Sequence, residues 1–228
     1  MASFNPISKQ PVTFYFFDKL QSEKYAESTK QPNQLKKGVY MKVLTLQGGA
    51  HKKGNTATVL GWVKEELIAM GHEIESVHLQ NKNIKGCLAC GKCKETMEGV
   101  GCIQKDDAIE ILEKMVEADL VIFTSPLYFW GLAGPLKSLI DRTYSLYVDY
   151  HQPTHASLVK DQRQALLVTG AGPWENNAEA TFTAFERLQG PHMAVPAGNL
   201  YISKCTTPEN LDEAVKNQAK AFAQKIVV

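Results

Sequence analysis

An excess of charge of either sign is missing from this 228-residue chain: 25 Lys and Arg stand against 24 Asp and Glu, a formal net charge of +1. A nucleic-acid binder carries a basic face, and a small electron shuttle steers toward partners with a strongly one-signed surface. The balance counts against both. Apolar runs of bilayer-spanning length are also missing, and the first forty residues lack the apolar stretch of a secretory signal. A cytoplasmic protein with no nucleic-acid partner and no membrane insertion is the expectation. An even, dispersed cysteine set is missing too. There are five cysteines, and four crowd into the segment from Cys87 to Cys102. Disulfide scaffolds spread an even set along a short secreted chain, so this clustering points to metal or redox chemistry. Neither a Ser-His-Asp constellation nor a pair of catalytic carboxylates is visible, which leaves hydrolysis without support.

What is present is an alternation of strand-like and helix-like segments. The length suits one α/β domain with a full core, and a hydrophobic fraction of 44% is ordinary for a globular chain. Residues 1–40 stand apart as a polar, lysine-rich N-terminal extension with one aromatic knot, Val12 to Phe17. Two readings of it are open: a dispensable segment upstream of Met41, or a knot that docks on the body or on a second subunit. The remainder, residues 41–228, reads as one domain. Met41–Leu46 is a first strand. Helical spacing predicts a helix over 56–70, with Gly71 as its cap, and residues 73–79 alternate as a second strand. A loop then runs to Lys105, and Asp107 with Glu110 resembles a capping box for a helix through Val116. Residues 119–124 are apolar throughout, as a central parallel strand should be. Pro135 suits the first turn of a helix to about Leu146. Strand 4 covers 165–170, a helix 179–188, and strand 5 lies near 200–203. Thr207-Pro208 is expected to start a last helix carrying Leu211, Val215, Ala219 and Phe222. Five strands with interleaved helices predict a doubly wound parallel sheet.

Two loops carry the chemistry. Gly49-x-x-x-x-Gly54-Asn55-Thr56 follows strand 1 and is one residue short of a P-loop, with Asn55 where the lysine belongs. That lysine holds the β- and γ-phosphates of a triphosphate, and without it the loop suits a single phosphate better. Backbone N–H groups at a helix N-terminus, a hydroxyl from Thr56 or Thr58, and Lys52 or Lys53 would serve. The Gly-x-Gly-x-x-Gly pattern of dinucleotide sites is absent here. The second loop, Ser125-Pro126-Leu127-Tyr128-Phe129-Trp130-Gly131, places three aromatics in a row after strand 3. Rings on a loop are costly to leave bare, and a flat isoalloxazine ring would cover them. In a flavodoxin-type sheet of order 2-1-3-4-5, strands 1 and 3 are neighbours, so both loops open on one crevice, where FMN binds.

Gly54-Asn55-Thr56, Asp106-Asp107, the Ser-Pro-Leu-Tyr-Phe-Trp-Gly loop and Lys137-x-x-x-Asp141-Arg142 resemble the NAD(P)H-dependent FMN reductase branch of the flavodoxin-like superfamily. The likeness runs from about residue 41 to the C-terminus. It implies FMN phosphate contacts at Lys52, Asn55 and Thr56, and flavin-ring contacts at Pro126, Leu127, Tyr128, Phe129, Trp130 and Gly131. A third flavin-side loop would correspond to Thr169, Gly170, Ala171 and Gly172, with Trp174 over the ring or packed as a surface indole. The usual first loop of that family reads Gly-Ser-Pro-Arg-x-x-Gly-Asn-Thr, whereas Ala50, His51 and Lys52 stand here. The family also implies NAD(P)H as co-substrate and a homodimer.

Cys87, Cys90, Cys93 and Cys102 offer four thiolates, enough for a [4Fe–4S] cluster, and resemble the cysteine motif of iron–sulfur flavoproteins of the same superfamily. The fourth cysteine is farther off here than in the compact form. Thiols without a cluster are the preferred expectation, with a cluster or zinc as alternatives. Cys205 reads as a buried residue, Lys137–Asp141 as a surface pair, and Asp106 and Asp107 as helix-start residues. His151 and His155 are spaced as ligands on a helix, but Pro153 interrupts it. The expected function is an FMN-dependent NAD(P)H oxidoreductase serving a small acceptor such as a quinone, flavin, ferric or nitro compound. Tyr128 and Trp130 would shape the open flavin face, and Tyr144 or His151 would donate a proton. The alternatives are a flavin and iron–sulfur electron-transfer protein, or a cofactor-free sensor on the same fold.

Overall fold

Five parallel strands stand side by side in the order 2-1-3-4-5 in the computed structural model, which describes residues 40–95 and 99–228. The strands are β1 (Lys42–Gln47), β2 (Glu73–His78), β3 (Leu120–Tyr128), β4 (Arg163–Thr169) and β5 (Val195–Ile202). Between and after them run α1 (Asn55–Ala69), α2 (Ala108–Glu117), α3 (Gly134–Arg142), α4 (Glu179–His192) and α5 (Glu213–Lys225). This is the flavodoxin-like doubly wound sheet expected from the alternation. The knot at Val12 to Phe17, with the rest of residues 1–39, lies outside the described residues.

Burial explains why the central strands read as apolar runs. Leu120 to Phe123 of β3 and Ala165 to Val168 of β4 are all buried, because helices cover both faces of a parallel sheet. Successive side chains point to opposite faces. Leu44, Leu46, Val121, Phe123, Leu166 and Val168 join one core with residues of α2, α3 and α4. On the other side α1 lies against α5, and both touch the sheet. Gly71 takes φ +91° after α1 and donates to the Ile68 carbonyl at 2.9 Å, the left-handed stop expected of glycine there.

Several boundaries differ from the sequence reading. β3 does not stop at Thr124 but continues through Tyr128, because Pro126 pairs with Thr169 and Leu127 and Tyr128 pair antiparallel with Leu132 and Gly131. The second loop is therefore a strand end plus a tight hairpin. β5 begins at Val195, five residues early, through Pro196 and Gly198. An edge strand tolerates both, and the register shifts opposite Gln164 and Ala165. Thr207 and Asn210 cap a single short turn, and the last helix starts only at Glu213, after Asp212 accepts from the Val215 N–H at 2.9 Å. Leu211 is thus outside it. Asp107 forms no capping box; its carboxylate accepts from the Asn83 N–H at 2.8 Å.

Candidate functional site

After β1 the chain passes to one face of the sheet, and after β3 to the other, so a crevice opens beyond their carboxyl ends. The first loop enters it tightly held: the Gly48 N–H donates to Thr124 of β3 at 2.8 Å. A Cβ on Gly48 would meet the Leu136 Cβ at 2.7 Å, so only glycine allows this approach to α3. Gly54 stands at the N-cap of α1 with extended backbone and no side-chain cap bond. The N–H groups of the first helical turn are thereby left for another acceptor, and the helix dipole favours an anion there. Lys52 is exposed beside this terminus. Thr56 is buried, and its hydroxyl meets that of Thr169 at 2.7 Å, tying the first loop to the end of β4. The Asn55 side-chain amide donates to the Thr207 carbonyl at 2.8 Å and straps α1 to the loop after β5, while its backbone N–H belongs to the first helical turn.

Phe129 and Trp130 form the two-residue tip of the hairpin, with φ +46° and +61°. A two-residue turn between paired strands favours positive φ at both positions, normally taken by Asn-Gly. Two bulky aromatics hold it here, with Phe129 94% and Trp130 61% exposed and Tyr128 exposed beside them. The hairpin base is fixed from inside. The Ser125 hydroxyl donates to the Pro126 carbonyl and accepts from the Ala133 N–H at 2.9 Å, and the Thr181 hydroxyl donates to the Trp130 carbonyl at 2.6 Å. Non-glycine residues in such conformations cluster at ligand clamps.

The third loop, after β4, closes against both. Gly170 is buried, and a Cβ there would lie 2.6 Å from the Tyr201 hydroxyl and 3.2 Å from the Leu127 Cβ. Tyr201 donates to the Gly172 carbonyl at 2.8 Å. Trp174 rests on Phe182, ring centroids 4.9 Å apart, and on Tyr201 at 6.0 Å. Of the two readings of Trp174, the packed surface indole is the one its contacts match.

The cysteine segment is held by two cations donated in opposite directions. Arg142, at the end of α3, donates to the Lys85 carbonyl and to Asp106. Lys94, from the cysteine segment, donates to the carbonyls of Tyr144 and Tyr147 and lies 4.0 Å over the Tyr144 ring. Asp106 is therefore more than a helix-start residue. Cys87 and Cys90 are exposed, Cys93 and Cys102 half-buried. Burial pushes the Cys93 thiol up, with Lys94 opposing. Among the described residues no three His, Cys, Asp or Glu side chains converge where they could hold one metal ion. The Cys93 thiol lies close enough to Cys102 and Cys87 to feel their charge.

Tyr144, Tyr147, Tyr150, His151 and His155 form an aromatic cluster around this clasp. Both ring nitrogens of His155 face backbone carbonyls, of Val148 at 3.1 Å and Pro191 at 3.0 Å. Those contacts occupy it as a ligand. Lys137 pairs with Asp141 at 2.6 Å on the exposed face of α3, and Cys205 is buried. No helix among the described residues is long and apolar enough to cross a membrane.

The family model described as NADPH-dependent FMN reductase matches residues 41–207. The chain belongs to that family. An iron-sulfur flavoprotein of Archaeoglobus fulgidus is 42% identical over 103 residues, covering 45% of this chain and 49% of that protein. A putative NAD(P)H-dependent FMN-containing oxidoreductase of Bacillus subtilis, YwqN, is 30% identical over 102 residues, 45% of this chain and 51% of its own. The chain spans about half the length of the curated relatives it matches. Among solved structures, an NAD(P)H:quinone oxidoreductase from Methanothermobacter marburgensis superposes with a TM-score of 0.62 at 20% identity, over 83% of this chain and 95% of that one. These likenesses establish the flavodoxin-like fold. Family membership supports FMN as the cofactor, and this FMN reductase fold fits it: an uncapped helix N-terminus suits the phosphate, and the exposed aromatic tip suits the ring. The supports beneath the site come from tertiary structure. Thr181 and His78 act on these loops from elsewhere in the fold, with no local motif to mark them.

Proposed function

We propose that this chain is an FMN-dependent oxidoreductase that takes electrons from NAD(P)H and passes them to a small acceptor: a quinone, flavin, ferric or nitro compound. The observation that carries the reading is the pairing of an uncapped helix start at Gly54–Asn55 with an exposed, positive-φ aromatic tip at Phe129–Trp130 on neighbouring strands. FMN, when bound, supplies the hydride and electron chemistry itself. The protein's share is binding and exclusion. Lys52, Thr56 and the N–H groups of the first turn of α1 hold the phosphate. Pro126, Leu127, Tyr128, Phe129, Trp130 and Gly131 would hold the ring, together with Thr169, Gly170 and Gly172 of the third loop. Tyr128 and Trp130 leave one face for the nicotinamide and then the acceptor. A homodimer in the cytoplasm completes the reading. The test is anaerobic addition of NADH or NADPH to the FMN-loaded protein. Bleaching of the flavin bands, with ping-pong kinetics on adding a quinone, supports the assignment; flavin unbleached by either nucleotide overturns it.

A second reading, a flavin and iron–sulfur electron-transfer protein, draws on the likeness to the iron-sulfur flavoprotein of Archaeoglobus fulgidus and on the four clustered cysteines. Iron and acid-labile sulfide in stoichiometric amount after anaerobic purification would favour it.

A further inference from the structure

Three carbonyl groups of the first loop, those of Gly49, His51 and Gly54, are taken by side-chain donors of the protein itself. The His78 Nε2 lies 2.6 Å from the Gly49 carbonyl, and the Gln47 amide donates to the His51 carbonyl at 3.2 Å. The Thr58 hydroxyl donates to the Gly54 carbonyl at 3.2 Å. A carbonyl oxygen only accepts, so Nε2 is the protonated nitrogen of His78. Gln47 and His78 are register partners at the carboxyl ends of β1 and β2, so the two donors sit side by side beneath the loop.

In a trans peptide the C=O and the following N–H point in opposite directions. Holding the Gly49 carbonyl toward His78 turns the Ala50 N–H away from it, and holding the His51 carbonyl toward Gln47 does the same for the Lys52 N–H. Alternate peptide units thereby turn their N–H groups away from the strand ends, next to the uncapped first turn of α1, and the Gly54 N–H at 3.3 Å helps Gln47 hold the His51 carbonyl. N–H groups presented on one side of a loop are the material of an anion nest.

We infer that His78 and Gln47 are positioning residues for a terminal phosphate: they touch no ligand, and they hold the loop in the conformation that presents its N–H groups. The inference rests on the flavin site proposed above and adds to it a source of preference for FMN over riboflavin, which lacks the phosphate.

The test is titration of the full, flavin-free chain with FMN and with riboflavin, followed by quenching of flavin fluorescence. The wild type is expected to prefer FMN. His78→Leu is expected to weaken FMN binding about tenfold, the size of a lost hydrogen bond whose acceptor is left unsatisfied, while riboflavin affinity stays within about twofold. His78→Gln keeps an N–H donor and is expected to recover most of the loss. Gln47→Leu acts in the same direction at the less buried end and carries the same test should His78→Leu not fold. Equal loss for FMN and riboflavin, or no loss for either, overturns the positioning role while leaving the flavin site standing. A wild type that binds both flavins equally overturns the phosphate site itself, and this inference with it.

Discussion

Arg142 and Asp106 form a bidentate ion pair with both side chains fully buried, Nη1 to Oδ2 at 2.7 Å and Nη2 to Oδ1 at 3.1 Å. Burial alone would push the Asp106 carboxyl up. The hydrogen bonds from Arg142 and from the Lys85 and Ala108 N–H groups outweigh it and hold the carboxyl below its usual range. Removing one partner leaves an uncompensated buried charge, which costs about 3–5 kcal/mol. Asp106→Ala is therefore expected to lower the urea midpoint strongly. The double replacement Asp106→Leu with Arg142→Met is expected to cost less than either single change, because both charges leave together. Since the folded value is depressed, the pair's contribution is present above the ordinary carboxylate range and is lost as pH falls through the folded value. Urea titrations below about pH 4 should show wild type losing stability that Asp106→Ala no longer has to lose.

His192 gives a second acid limb in a different window. It is buried between Gln164 Oε1 at 2.9 Å and the Thr143 hydroxyl at 3.0 Å, and burial lowers its pKa to about 4. The unfolded chain binds a proton near the ordinary histidine value of 6.5, while the folded one resists until about 4. Stability is accordingly full above pH 6.5 and falls as pH drops toward 4, by about 3 kcal/mol in all. Thermal melts of His192→Gln across that range are expected to be flatter than those of wild type, with a lower starting point at pH 7.

These two pairs show where sequence reading stops. The sheet was legible because β3 and β4 are buried on both faces and so are continuously apolar, and because a strand followed by a glycine-rich or aromatic loop keeps its order along the chain. Asp106 and Arg142 are separated by 36 positions, and spacing holds no trace of their meeting, so Asp106 reads only as a helix start. The early half of β5 was hidden for another reason. Val195-Pro196-Ala197-Gly198-Asn199 has turn composition, yet an edge strand needs hydrogen bonds on one side only, and Gly198 at φ +154° absorbs the register shift against β4. Asn55 lies in the right loop, but its amide is engaged with Thr207, a partner supplied by tertiary structure.

Lys94 secures the cysteine segment, and its loss should be readable in thiol chemistry. Burial lowers the Lys94 pKa, and the neighbouring Cys93 works against that. Lys94→Met removes the donor to the Tyr144 and Tyr147 carbonyls, about 1 kcal/mol or more of hold on the segment. Local opening then becomes more frequent, and Cys93 is expected to react with a thiol reagent about fivefold faster, with exposed Cys87 and Cys90 as internal references. Lys94 also favours the Cys93 thiolate, so its removal without opening would slow the reaction. A net acceleration, read by mass spectrometry of each cysteine peptide, reports opening of the clasp; a net slowing shows that the clasp holds without Lys94.

The hairpin tip sets stability against binding. Phe129 and Trp130 each occupy left-handed backbone, which costs an L residue with a Cβ roughly 1–2 kcal/mol. Phe129 has few contacts to return for it, since it is 94% exposed and meets Trp130 only edge-on at 6.4 Å. Phe129→Asn with Trp130→Gly places the residues preferred in such a turn. The double variant is expected to unfold at higher urea, stabilised by about 1–2 kcal/mol. The same change strips the rings from the crevice, so FMN is expected to bind at least about tenfold more weakly, by the loss of one stacking face. A variant that is stabilised and binds FMN as wild type does would place the flavin ring elsewhere. A destabilised variant would mean that the aromatic contacts hold the tip more strongly than the backbone resists it.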